Sequence, residues 1–277
     1  MTMPARYPER IVCLTEESTE TLYLVGEERR IVGISGYTVR PSRARKEKPR
    51  VSAFLSARQE KILELKPDLV IGFSDLQADI ARDLTKAGLN VLIFNQRSLQ
   101  EILDMILALA SLVGAPQKGI ALIRQLEAGL DEIRAAAKAF ERKPRVYFEE
   151  WDEPMISGIR WVSELIEVAG GEDIFPEKSR SQAARGRIVA EPGEVIQKNP
   201  DVILGSWCGK KFRPERVAAR PGWDAISAVR NNQLFEIKSA DILQPGPAAL
   251  TDGVRRIHAL LRDFVFRAAR TRSSGGA

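Results

Sequence analysis

The sequence predicts an α/β protein of two lobes, each with a parallel sheet flanked by helices, joined by one long rigid helix. Three observations predict it. An eight-residue segment occurs twice, strand and helix patterns alternate around both copies, and the stretch between the halves has helical periodicity with few breakers. The 277 residues exceed the roughly 100–200 of one ordinary domain and suit two.

The repeat is Leu65-Lys66-Pro67-Asp68-Leu69-Val70-Ile71-Gly72, matched by Lys198-Asn199-Pro200-Asp201-Val202-Ile203-Leu204-Gly205. A proline cannot continue a helix and biases its predecessor to extended geometry. Each copy therefore reads as a helix end followed by a strand. An unbroken apolar run after Pro-Asp suits a parallel strand covered on both faces, and the glycine opens a loop at the strand's carboxyl end.

The remaining elements follow in order. The first half gives strand Arg10 to Leu14, helix Glu16 to Val25, strand Ile31 to Ser35, and an amphipathic segment Glu60 to Leu65 before the Pro-Asp strand. It continues with helix Ala78 to Ala87, strand Asn90 to Phe94 and helix Leu99 to Val113. The second half gives strand Arg145 to Phe148, helix Trp161 to Ala169, segment Glu194 to Gln197 and the second Pro-Asp strand. Helix Trp223 to Val229, strand Gln233 to Ile237 and helix Ala249 to Arg267 complete it. Gly26, Gly88 and Gly170 stand where a helix end favours a left-handed cap. Such alternation implies parallel sheets with right-handed crossovers.

Between the halves, Ile120, Ile123, Leu126, Leu130 and Ile133 recur at helical spacing. One helix of about 25 residues within Pro116 to Lys143 would span on the order of 35–40 Å. The expected organisation is a lobe over 9–115, a connecting helix over 116–143 and a second lobe over 144–270.

Composition narrows the function. The net charge is +5, but 42 Lys and Arg are mixed with 37 acids, and no basic stripe with interleaved aromatics marks a nucleic-acid surface. The longest apolar stretch, Ile102 to Val113, is interrupted by Asp104 and falls short of the ~20 residues that cross a bilayer. Met1 to Glu9 is too short and polar for a secretory signal, which leaves a cytoplasmic protein or a mature form. Cys13 and Cys208 fall in different lobes, so no disulfide is expected. The single histidine, His258, lies within the last helix and reads as structural. These residues provide no metal-ligand cluster, so any metal is expected to arrive within a ligand, with no intrinsic cofactor. No dinucleotide, phosphate-loop or nucleophile-elbow motif occurs, and no catalytic residue is assigned. The competing reading is a two-lobed enzyme, such as a transferase, using Glu149, Glu150, Asp152 and Glu153 for acid–base work.

Five segments in this order resemble a known family: Arg10 to Thr15, Val32 to Tyr37, Glu60 to Gly72, Ala169 to Phe175 and Asn199 to Ile203. The chain is similar over Arg10 to Phe264 to the helical-backbone (class III) solute-binding proteins of ABC importers. These carry vitamin B12, haem or ferric siderophores, and the likeness is greatest to the cobalamin binders. The resemblance implies a monomer with a ligand cleft between the lobes, delivering a corrinoid to an ABC permease and its ATPase, with haem or a ferric siderophore as alternatives. It implies an extracytoplasmic location. It also implies an acid on each lobe that docks on basic permease residues. Glu60 matches in the first lobe; in the second the aligned position is Gly193, and the role passes to Glu194.

Ligands of open parallel sheets bind outside the carboxyl ends of the strands. The loops so selected carry Tyr37, Trp151 and Trp207, flat rings suited to the faces of a macrocycle. Phe54 matches a cleft aromatic of the B12 binders. Arg40, Arg160, Lys210 and Lys211 are loop-borne cations for anionic groups of a ligand. Cys208 lies beside the expected ligand, and Gln244 offers an amide from a Pro-Gly-Pro loop. Arg180, Arg185 and Arg187 lie in a polar stretch expected to form a mobile flap.

Overall fold

The structure, a computed structural model, describes residues 6–274. By contact density the chain divides into two compact units. The first comprises the chain up to Gln96 with 100–126 and 244–247; the second comprises 97–99, 127–243 and the chain from Ala248 on.

The first unit is a five-stranded sheet of β1 (Ile11–Cys13), β2 (Ile31–Ser35), β3 (Arg50–Ser52), β4 (Leu69–Phe73) and β5 (Val91–Phe94). Their spatial order is β3-β2-β1-β4-β5, with every pairing parallel. Ile11, Val12, Cys13, Val70 and Ile71 are fully buried, as unbroken apolar runs covered on both faces require. Helices Glu16–Leu24, Ala78–Lys86 and Leu99–Leu112 lie close to their expected spans.

The second unit is built on β6 (Arg145–Asp152), β7 (Met155–Ser157), β8 (Glu172–Asp173), β9 (Val202–Gly205) and β10 (Leu234–Glu236). The order is β10-β9-β6-β7. The start of β6 also pairs in parallel with β8, and its end pairs antiparallel with β7. The sheet is parallel as expected apart from this hairpin, which adds an antiparallel edge strand where a strand-end loop carrying Trp151 was expected. After a tight turn at Glu153 and Pro154 the chain doubles back, placing Trp151 opposite Ile156 and Asp152 opposite Met155.

The repeat is visible in the geometry. Lys66 and Asn199 both take left-handed conformations, φ 45° and 42°. Each is followed by a proline and an aspartate that binds the neighbouring strand's start. Asp68 accepts the backbone N–H of Glu9 and Arg10 at 2.7 and 3.0 Å. Asp201 accepts that of Arg145 at 2.8 Å and also holds the Arg142 guanidinium. Gly205 closes the second copy, where a Cβ would stand 1.8 Å from the Phe212 ring.

The helix expected to reach Lys143 runs from Pro116 to Ala137. Its last turn tightens as Lys138, Ala139 and Phe140 donate to carbonyls three residues back. Phe140 then turns inward, stacking on His258 with ring centroids 5.4 Å apart and lying where a Cβ on Gly170 would be 2.7 Å away. His258 Nδ1 meets the Ala169 carbonyl at 3.0 Å. Cys13 and Cys208 are both free. No described helix is long and apolar enough to cross a membrane.

Candidate functional site

In the first sheet the strand order reverses around β1, so ligand-facing loops are expected at the carboxyl ends of β1 and its neighbours. The loop after β1 leads into a helix whose first turns bury Glu16, Glu17 and Glu20. Glu16 accepts the backbone N–H of Val39 and Arg40 at 2.7 and 3.1 Å, which fixes the loop after β2. Arg40 Nε reaches Glu20 at 2.9 Å; the guanidinium is part-buried and already engaged. On the same loop Tyr37 is 59% exposed. Burial pushes the Glu16 and Glu17 carboxyls up to about 7, against the hydrogen bonds that favour ionisation.

The loops after β3 and β4 are tied by Gln77, fully buried. Its amide accepts the Phe73 N–H at 3.0 Å and donates to the Phe54 carbonyl at 2.9 Å. Phe54 is half-buried. Leu55 and Leu76, on these loops, are 69% and 60% exposed. Neither leucine is aromatic or charged; its signal in the sequence is an apolar residue in a strand-end loop. Gln244 is half-buried, and its loop belongs to the first unit. Gln96 donates to the Pro245 carbonyl at 3.0 Å, and a Cβ on Gly246 would lie 2.5 Å from that of Glu17.

In the second unit, the Glu149 carboxylate within β6 is fully buried. It accepts from Arg220 at 2.5 and 2.9 Å, from Trp207 Nε1 at 3.0 Å and from the Tyr147 hydroxyl at 3.0 Å. Trp207 is 3% exposed, packed edge-on to Phe212 with centroids 5.0 Å apart. The expectation that Trp207 presents its face to a ligand is corrected: its indole is a core group held by Glu149.

Trp151 is half-buried and donates from Nε1 to the Glu153 carbonyl at 2.9 Å. The Lys210 ammonium stands 4.0 Å from its ring centroid and is hydrogen-bonded to Asp152. Burial alone would raise the Asp152 carboxyl, but Lys210 and Arg216 outweigh it and hold the group below its ordinary range. Cys208 is exposed, as is Lys211. Arg160, exposed at a helix start, pairs with Glu164 at 2.8 Å. Arg187 corrects the flap expectation at its own position. It is 3% exposed, donates twice to Glu150 and once to the Ser157 carbonyl, and anchors its segment against β7. Three of the four acids of the enzyme reading, Glu149, Glu150 and Asp152, are thus each committed to a cation, and Glu153 lies exposed in the turn.

Glu60 lies exposed in the first turn of the short helix Gln59–Glu64. Glu194 lies in the first turn of helix Pro192–Lys198 and pairs with Lys178 at 3.4 Å. Among the described residues no three His, Cys, Asp or Glu stand together as a metal site.

The family model for the periplasmic binding proteins matches residues 11–240. The chain belongs to that family. It is a solute-binding protein of the ABC-importer type, from a family that is extracytoplasmic. The ABC transporter substrate-binding lipoprotein YvrC of Bacillus subtilis is 24% identical over 259 residues, covering 90% of this chain and 79% of that protein. The vitamin B12-binding protein of Vibrio cholerae is 28% identical over 263 residues, covering 92% and 89%. The periplasmic haem-binding protein RhuT of Roseiflexus superposes with a TM-score of 0.76 at 25% identity, covering 91% of this periplasmic binding protein and 99% of RhuT.

Proposed function

We propose that this periplasmic binding protein captures a corrinoid of the cobalamin type and delivers it to an ABC permease driven by its ATPase. The observation that carries the reading is the likeness to a vitamin B12-binding protein over 92% of the chain. The exposed Tyr37, Leu55 and Leu76 on successive strand ends support it, because broad apolar side chains suit the faces of a macrocycle. The ligand contacts are Tyr37, Arg40, Phe54 and Gln244 in the first unit and Trp151, Arg160, Cys208 and Lys210 in the second. The metal belongs to the cargo, and the protein works as an extracytoplasmic monomer.

Glu60 and Glu194 meet basic residues of the permease. Charges of this kind steer encounter and fix register more than they add affinity, and weaken with salt. Haem is the second reading, favoured by the superposition on a haem-binding protein; a ferric siderophore is the third.

Isothermal titration with cobalamin, cobinamide, haem and a ferric siderophore tests the proposal. Saturable binding of a corrinoid tighter than about 1 μM, or ~8 kcal/mol, is the expected result. Heat with haem alone reassigns the cargo, and no heat with any of them removes the proposal.

A further inference from the structure

Lys210 is held unusually well for an exposed lysine. Gly209, at φ +78°, turns the chain so that the Lys210 N–H reaches back to the Trp207 carbonyl at 3.3 Å. The side chain then crosses two rings, its ammonium 4.0 Å from the centroid of Trp151 and 5.1 Å from that of Trp207. Such placements add an electrostatic attraction between the cation and the ring face. Asp152 accepts one of its protons, and the Asp152 side chain is only 6% exposed against 37% for Lys210. The carboxylate is therefore the buried anchor and the ammonium the accessible member of the pair. Arg216 also approaches Asp152, at 3.9 Å. Two cations thus share one carboxylate, and the more exposed ammonium lies over the Trp151 ring. An ammonium has three donors; with one given to Asp152, the others remain for an incoming acceptor.

We infer that Lys210, stacked on Trp151 and anchored by Asp152, is the charge filter of the ligand surface on the second unit and receives a carboxylate or phosphate of the bound molecule. The inference rests on the proposed ligand role of the strand-end loops and adds the charge of the cargo. A molecule laid against Trp151 with an anionic group at its edge gains a charge-assisted hydrogen bond, and one with a cation there is repelled. Arg216 and Lys211 reinforce the field, while the geometry at the ring belongs to Lys210.

The four tryptophans make this testable without knowing the cargo. Trp161, Trp207 and Trp223 are at most 3% exposed, so collisional quenching of indole fluorescence reports chiefly on Trp151. Iodide, an anion, and acrylamide, a neutral quencher, are titrated into the wild-type protein, Lys210→Met and Lys210→Arg. Lys210→Met is expected to lower the iodide-to-acrylamide ratio of quenching constants about twofold, since local positive charge concentrates anions; Lys210→Arg keeps the wild-type ratio. An unchanged ratio in Lys210→Met overturns the inference. Retention of cobalamin, cobinamide or haem by the wild-type protein after desalting is scored separately. A protein that retains none of them removes the proposed function, whereas an unchanged quenching ratio removes the charge role of Lys210 alone.

Discussion

Glu149 and Arg220 form a two-point ion pair, Oε2 to Nη1 at 2.5 Å and Oε1 to Nη2 at 2.9 Å, on a carboxylate with no exposed surface. Burial alone would weaken the guanidinium's hold on its proton, but Glu149 outweighs it and the Arg220 group is raised. The same carboxylate fixes Trp207 and Tyr147. A buried pair of this kind strongly penalises the loss of one partner, because the other charge is left unpaired. Glu149→Gln is expected to cost about 3–5 kcal/mol in urea unfolding. A loss within about 0.5 kcal/mol, as at ordinary surface sites, would contradict the role assigned to the pair.

The two ring-bearing positions of the second unit separate cleanly. Trp207→Ala empties a core position and is expected to lower stability by about 3–5 kcal/mol. Trp151→Ala removes a half-buried ring and is expected to weaken ligand binding tenfold or more, about 1.4 kcal/mol, with a smaller stability loss. Thermal unfolding and titration on both variants check this; reversed effects would exchange their roles.

The buried acids after β1 predict a pH dependence. The Glu16 and Glu17 carboxyls stand near 7 in the fold against an ordinary 4.5. Between those values the folded chain binds more protons than the unfolded one, so these groups make stability fall as pH rises from about 4.5 through 7. Glu17→Gln removes the cost of ionising one of them. It is expected to stabilise the protein by on the order of 1–3 kcal/mol at pH 8 and to have little effect at pH 4.5. Melting curves at both pH values check it; equal effects at both would refute the buried-acid assignment.

Glu60 is exposed on a short helix that faces the core through Ile62. Glu60→Ala is expected to change stability by no more than about 0.5 kcal/mol and to leave ligand affinity intact. Uptake in cells with the cognate permease is expected to fall, with the defect growing smaller at high salt. Loss of ligand affinity would place Glu60 in the binding surface instead.

Much of this fold is legible in the chain because periodicity and chain breakers are local signals. Pro67 and Pro200 mark both strand starts, but Lys66 and Asn199 before them are left-handed rather than extended, because each also closes a helix end. The β6–β7 hairpin was not legible: Trp151 to Ser157 lacks clean alternation, and the turn at Pro154 resembles a loop. The helix end at Ala137 depends on Phe140 finding Gly170 and His258, contacts between residues far apart in sequence. The candidate site was read in part. Tyr37, Trp151 and Lys210 follow from the rule of strand carboxyl ends, whereas Trp207 follows the same rule and is buried. The difference lies in Glu149, whose carboxylate draws the indole N–H inward.

The visible absorption of the protein, after incubation with cobalamin, cobinamide, haem or a ferric siderophore and passage through a desalting column, tests the central claim most directly. The account predicts that a corrinoid chromophore elutes with the protein at close to one molecule per chain. Colourless protein after every incubation would contradict it.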